Sequence, residues 1–205
     1  PIIDLRGNVI AFGGRVLDDS KPKYVNTSDT LVYKKSNGVF ALNFAKNGNP
    51  SSLIVCEGYM DVIALHQAGF TNSIACLGTA LTQEQARLIS RYADEVILSY
   101  DSDEAGQKAT KRAIGIFGQT GLKIRVLKLT GGKDPDEIIK NYGKEKFQNL
   151  LDGAANDIEY SILRERDKYD LESIDGKSKF LTAVADILST GNPIEQDIYA
   201  TKLAN

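Results

Sequence analysis

The sequence predicts an α/β protein: a parallel sheet with helices on both faces, preceded by a small β-rich lobe and followed by a helical subdomain. Three observations predict it. Between residues 51 and 130, short apolar runs alternate with helix-length stretches, the rhythm of βαβ units. Ahead of that region, strand-like runs are separated by turn residues, and from about Pro135 onward the pattern is helical only. The expected divisions are a lobe over 1–50, the sheet domain over 51–150 and the helical subdomain over 151–205.

In the lobe, Asn8-Val-Ile-Ala-Phe12 leads through Gly13-Gly14 into Arg15-Val-Leu17, and Thr30-Leu-Val-Tyr33 and Val39-Phe-Ala-Leu42 flank the turn Ser36-Asn-Gly38. Residues 18–26 read as a loop. The sheet strands are expected near Leu53–Cys56, Ser73–Cys76, Val96–Tyr100 and Ile124–Leu129, with helices over Tyr59–Ala68, Thr82–Ala93 and Glu104–Phe117. Thr82 and Gln85 have capping-box spacing. The tail reads as helices over Asp136–Asn141, Lys144–Leu151, Ile158–Tyr169, Lys177–Ser189 and Pro193–Leu203, with Pro193 suited to a first helical turn.

The chemistry lies where strands end. Glu57 follows the run Ser52–Cys56, Asp101-Ser-Asp103 follows Glu95–Tyr100, and Asp134-Pro-Asp136-Glu137 follows the last strand. Open α/β sheets bind ligands at the carboxyl ends of their strands. Asp101 and Asp103, two apart on extended chain, share a face, and Asp61 stands one helical turn after Glu57. Anions gathered there repel one another unless a cation joins them, and hard divalent ions take oxygen ligands. Helix capping accounts for Asp103 or Asp136 taken singly; three acidic clusters after three parallel strands point to metal-assisted phosphate chemistry.

The bulk numbers exclude other classes. Of 205 residues, 42% are hydrophobic and 25% charged, which excludes wholesale disorder. No apolar run approaches the roughly 18 residues of a membrane helix, no signal peptide is evident, and no membrane partner is expected. The chain starts without Met, so a piece of a longer polypeptide is expected. Cys56 and Cys76 lack disulfide or zinc spacing and read as small core hydrophobes in a reducing compartment. His66 reads as a helix-surface or partly packed residue; Lys123, Arg125 and Lys128 as a solvated strand edge; Lys108, Lys111 and Arg112 as an exposed helix face. The net charge of −2 does not mark a general nucleic-acid binder, although an acidic metal site masks a local basic patch.

Val55-Cys-Glu57-Gly-Tyr-Met-Asp61-Val, with Tyr100-Asp101-Ser-Asp103-Glu-Ala-Gly106, resembles the TOPRIM fold shared by topoisomerases, primases and some nucleases. A longer set, Phe12-Gly-Gly-Arg15-Val, Pro22-Lys23-Tyr24-Val-Asn26, Glu57-Gly-Tyr-Met-Asp61, Leu77-Gly78-Thr79 and Lys133-Asp134-Pro-Asp136, resembles the polymerase core of bacterial replicative primases, in order, over about residues 1–150. The resemblance implies synthesis of short RNA primers on a single-stranded DNA template from ribonucleoside triphosphates. It implies two or more Mg²⁺ or Mn²⁺ ions, with Glu57, Asp101 and Asp103 as catalytic ligands and Asp61, Asp134 and Asp136 around them. Arg15, Lys23, Tyr24, Asn26 and Lys35 match positions near template and nucleotide, and Gly78 and Thr79 a loop beside the site, although a plain strand-to-helix turn accounts for that pair as well.

Zinc is implied only in a module not in this chain, and a replicative helicase only through a region not in this chain. The fragment is expected to be monomeric and to act in the bacterial cytoplasm at the replication fork. Ser102 stands where a glycine is expected. A cleaving TOPRIM enzyme, nuclease or topoisomerase-like, is the first rival. A topoisomerase needs a nucleophilic tyrosine that none of the nine present announces, and Pro22-Lys-Tyr favours the primase. A metal-free binding scaffold is the second rival, and the complete acidic set opposes it.

Overall fold

The lobe is built from two short antiparallel ribbons. Ile2–Ile3 (β1) pairs with Val9–Ala11 (β2), and Gly13–Arg15 (β3) with Tyr24–Asn26 (β4). The computed structural model describes residues 1–16, 18, 21–22, 24–76, 80–189 and 191–204; Lys23, Gly78 and Thr79, three of the expected ligand contacts, lie outside the described residues. The chain divides into two units, 1–154 and 155–205.

Two expectations for the lobe change. The end of the expected loop, Tyr24–Asn26, is a strand, locked by Thr27, whose hydroxyl both accepts from the Phe12 N–H and donates to the Phe12 carbonyl. Thr30–Tyr33, expected as a strand, is a turn. The Thr30 hydroxyl accepts from the Val32 and Tyr33 N–H groups, and such local side-chain bonds compete with strand pairing. Leu31 and Val32 are consequently exposed while Tyr33 is buried.

Val39–Phe40 (β5) and the short helix Leu42–Ala45 (α1) lead out of the lobe. β5 pairs antiparallel with a strand of the main sheet, so the expected lobe boundary near residue 50 does not separate the sheets. Four parallel strands follow, Ser52–Cys56 (β6), Ser73–Cys76 (β7), Glu95–Ser99 (β8) and Lys123–Val126 (β9), in the spatial order β9-β8-β6-β7-β5. The crossovers are Tyr59–Gln67 (α2), Gln83–Ile89 (α3) and Glu104–Phe117 (α4). From β6 the chain steps one way to β7, then back to β8 on the other side. The carboxyl ends of β6 and β8 therefore flank the topological switch point, where such sheets open a crevice.

Alternation along the strands gives the sheet two buried faces. Ile54, Cys56, Ala75 and Ile97 join one cluster with Val62 and Leu65 of α2 and with Ile138 and Phe147 of Pro135–Asp152 (α5), whereas Leu53, Val55, Ile74, Val96 and Leu98 are buried on the opposite face. α5 comprises the two helices expected over 136–141 and 144–151, separated by a kink. Gly143 interrupts it at φ 76°, ψ −175°, a conformation that only glycine adopts without cost. Thr82 and Gln85 form the capping box expected of them, and the fully buried Gln85 also donates to the Lys35 and Gly38 carbonyls, tying the lobe's turn to α3.

Arg125 is not a solvated edge. Its guanidinium donates to the carbonyls of Leu151, Asp152 and Ala154, satisfying the end of α5. Lys108 keeps the expected exposed face, paired one turn away with Glu104. His66 is half-buried on α2, its Nε2 2.9 Å from the Ser73 carbonyl. Both cysteines are buried and free.

The second unit is helical: Asp157–Arg166 (α6), Ile174–Leu188 (α7) and Pro193–Ala204 (α8). Ile158, Ile162, Phe180, Val184 and Tyr199 form its core. Asn156 caps α6, and Ser173 caps α7, which starts at Ile174, three residues ahead of the expected start. Among the described residues, no helix is long and apolar enough to cross a membrane.

Candidate active site

A cleft of about 540 Å³ opens at the switch point, lined by Arg15, Tyr24 and Asn26 from the lobe and by Glu57, Asp61, Asp101, Lys133, Asp134 and Asp136 from the sheet's carboxyl edge. Glu57 leaves β6 and Asp101 follows β8. The two adjoin because the strands are in register, Cys56 opposite Ser99, and the Asp101 N–H donates to Glu57 Oε1 at 3.0 Å. Asp61 lies in the first turn of α2 and is buried, accepting from the Gly58 N–H. Asp134 caps α5, accepting from the Glu137 N–H at 2.8 Å, and Asp103 caps α4, accepting from the Gly106 N–H at 2.9 Å.

Capping and cleft formation thus coexist. Asp103 is a cap, Asp134 rather than Asp136 caps α5, and Asp136 pairs with Lys140 at 2.8 Å. Asp103 sits outside the lining of the cleft, and Lys35 is also absent from it. Lys35 is instead fixed by its backbone, whose N–H donates to Asp29 and whose carbonyl accepts from Gln85. Among the described residues, no three His, Cys, Asp or Glu side chains form a group ready to hold a metal ion. Several of the carboxylates are turned toward backbone N–H groups instead.

The electrostatics show what this arrangement costs. Burial, then the charges of Asp134 and Asp101, push the Asp61 carboxyl up to about 7. Asp101 is raised by burial and by Asp134, and Glu57 by burial and by its acidic neighbours; Lys133 draws both back. The three helix N-termini facing these residues carry partial positive charge that offsets part of the repulsion. The donor set is oxygen-only, anionic and mutually repelling, which fits a hard divalent cation.

Two groups that the sequence analysis did not single out shape the cleft. Tyr59 packs its ring against Phe40, centroids 5.0 Å apart, and a Cβ on Gly13 would lie 2.8 Å from Tyr59, so the β3–β4 ribbon rests on α2 through this ring. Arg15 stacks over Tyr24, 5.5 Å from its ring centroid, on the same ribbon. Lys133 is the second group. Its motif position was visible in the sequence, its place between acidic loops was not.

A doubly covered parallel sheet with carboxylates at its switch point is the arrangement of a Toprim-like domain, and the family of that description matches residues 54–139. Two further family descriptions match on either side: the DNA primase catalytic core, N-terminal domain, over residues 1–46, and the DnaB-helicase binding domain of primase over 158–205. A DNA primase of Clostridium acetobutylicum is 45% identical over 206 residues, covering all of this chain and 35% of that protein; one of Haemophilus influenzae is 38% identical, covering 92% and 32%. A solved DnaG catalytic core is 34% identical with a TM-score of 0.81, covering 100% of this chain and 68% of that one. The RNA polymerase domain of Mycobacterium tuberculosis primase DnaG, in complex with a double-stranded DNA oligomer with an overhang, is 32% identical with a TM-score of 0.84 and the same coverage.

The chain belongs to the DNA primase family and aligns with its catalytic core. It spans about a third of the length of the curated relatives it matches. Membership implies dependence on a divalent metal ion. The match at 158–205 also corrects an expectation: the helicase-binding resemblance lies inside this chain, on the helical unit, which the solved cores cover too.

Gly106→Ala should disable the cleft, because a Cβ there would lie 2.1 Å from the Asp101 carbonyl oxygen and 2.8 Å from Glu57 Oε1. Backbone must move, so urea unfolding should show a loss of at least roughly 2 kcal/mol, whereas Gly115→Ala on the same helix, with open space around it, should not lose stability. Asp61 sets a pH dependence. Its folded value of about 7 lies above the ordinary 3.8, so its proton stabilises the fold fully below about 3.8, and that contribution is lost as pH rises through 7. With chelator present, Tm should fall by a few degrees between pH 5.5 and pH 8, and Asp61→Asn should flatten the fall.

Proposed function

We propose that this chain is the metal- and nucleotide-binding part of an enzyme that makes RNA primers on single-stranded DNA by nucleotidyl transfer. The observation that carries the proposal is the cleft itself: an acidic half made by Glu57, Asp61, Asp101, Asp134 and Asp136 faces an Arg–Tyr–Asn half made by Arg15, Tyr24 and Asn26. A polyanionic nucleotide needs cations at its phosphates and a surface for its base, and the two halves supply both needs.

On this reading Glu57, Asp101 and Asp61 hold Mg²⁺ or Mn²⁺, with Asp134 and Asp136 beside them, two or more ions in all, and Asp103 joins them by releasing its cap. Bound metal would polarise the α-phosphate, lower the pKa of the primer 3′-hydroxyl and neutralise the pyrophosphate. The chain's own groups bind and orient. Arg15 offers a guanidinium to phosphate, Tyr24 a ring for stacking, and Asn26 a buried Oδ1 that accepts no hydrogen bond among the described residues. In this proposal Lys23, Gly78 and Thr79 also contact nucleotide or template, and Lys35 serves the template side from outside the cleft.

The functional parts are then the lobe (1–50) for template and nucleotide, the sheet domain (51–150) for metal, and the helical tail (151–205). The tail contacts the replicative helicase, in keeping with the helicase-binding match there. The partners are the DNA template and the nascent RNA; the site of action is the bacterial cytoplasm, and the chain acts as a monomer. Zinc belongs to a separate domain of the full-length enzyme.

The test is template-dependent ribonucleotide incorporation on single-stranded DNA by the full-length polypeptide with Mn²⁺ and by its Asp101→Ala variant. The variant should lose at least about a hundredfold in rate while remaining folded. Incorporation at near wild-type rate would overturn the assignment.

A further inference from the structure

Lys133 stands between the loop of Asp101 and Asp103 and the loop of Asp134 and Asp136. Its Nζ lies 4.0 Å from Asp103 Oδ2, it lines the cleft beside Asp101 and Asp134, and its charge lowers the proton affinity of both Glu57 and Asp101. The backbone fixes it there. Its N–H donates to Glu137 Oε2 at 2.6 Å, and its carbonyl accepts from the Ser102 N–H at 3.0 Å and the Ser102 hydroxyl at 3.3 Å. Ser102, standing where a glycine is expected, thus fastens the loop of Asp101 and Asp103 to the loop of Lys133 and Asp134. A side chain with four rotatable bonds is thereby rooted at a defined point between two acidic loops.

We propose that Lys133 is a resident counter-cation of the metal-free site, a positioning residue whose ammonium offsets the repulsion among Glu57, Asp101 and Asp103 and is displaced by, and so weakens, divalent ion binding. This rests on the metal reading of the cleft. The physical argument is competition: an ammonium near three carboxylates gains part of the Coulomb energy a divalent ion would gain, and repels that ion when it arrives. The lysine side chain is 61% exposed, so the interaction is screened and its effect moderate. The flexible stem lets the ammonium swing away without disturbing the loop, because the anchors are main-chain groups.

The experiment is Mn²⁺ binding by electron paramagnetic resonance titration at pH 8 and low salt, using the metal ion alone, on the wild-type chain and on Lys133→Gln, Lys133→Arg and Asp101→Asn. Lys133→Gln should bind Mn²⁺ roughly three- to tenfold more tightly, and Lys133→Arg should match the wild type. Added KCl should shrink the difference. In chelator, Lys133→Gln should melt below the wild type, and Lys133→Arg should not. A purely structural lysine would lower Tm in both variants without tightening the metal. If Lys133→Gln binds Mn²⁺ no more tightly than wild type while Asp101→Asn binds it more weakly, the inference falls and the metal reading stands. If the wild type binds no Mn²⁺, or binds it as well after Asp101→Asn, the metal reading falls and this inference falls with it.

Discussion

Repulsion among carboxylates at one end of a parallel sheet is the constraint around which this protein is organised. Glu57, Asp61 and Asp101 are each harder to ionise than an ordinary carboxylate, and the cause is the same for all three: partial burial beside other acids. Acids raised in this way make the fold less stable once they ionise, an effect that solvent screening moderates where they are exposed. A fold that keeps them there must offset the loss elsewhere or recover it when a cation binds.

Three features offset it without any metal. The N-termini of α2, α4 and α5 face these acids with partial positive charge and backbone N–H donors: Asp103 caps α4, Asp134 caps α5, and Asp61 in the first turn of α2 accepts from the Gly58 N–H. The sheet behind is apolar on both faces, so the strand ends are fixed by a packed core rather than by the loops that carry the charges. Gly106 lets the first turn of α4 lie against the Asp101 carbonyl, so that Asp101 and Glu57 stay adjacent while Asp103 turns to cap the helix. The same devices explain why, among the described residues, no three acids form a ready metal group: their oxygens are partly committed to backbone donors, and an incoming ion must exchange with those bonds.

Much of this was legible in the sequence because it depends on local pattern. The strands β6 to β9 and the helices between them follow from apolar period, and the acidic positions follow from where those strands end. The capping role of Asp103 was legible as an alternative for the same reason. What was not legible depends on tertiary placement. Thr30 bends a run of strand-forming residues into a turn through its own hydroxyl, and β4, paired with β3, is locked at its end by Thr27 on Phe12. The alternation of Lys123, Arg125 and Lys128 looks like a wet edge until the end of α5 supplies three carbonyls to Arg125. Lys35 carries the right motif context, yet its side chain lies off the cleft because Gln85 and Asp29 fix its backbone elsewhere.

The acidic cluster is strained without a divalent cation and relieved by one. The measurement that tests this most directly is the melting temperature of the wild-type chain at pH 8 in chelator, in millimolar Mn²⁺, and in NaCl matched for ionic strength. A ligand that binds only the folded state raises Tm. Mn²⁺ should raise Tm well beyond matched NaCl. Equal melting in Mn²⁺ and NaCl would contradict it, leaving the acids as helix caps whose repulsion ordinary salt screens.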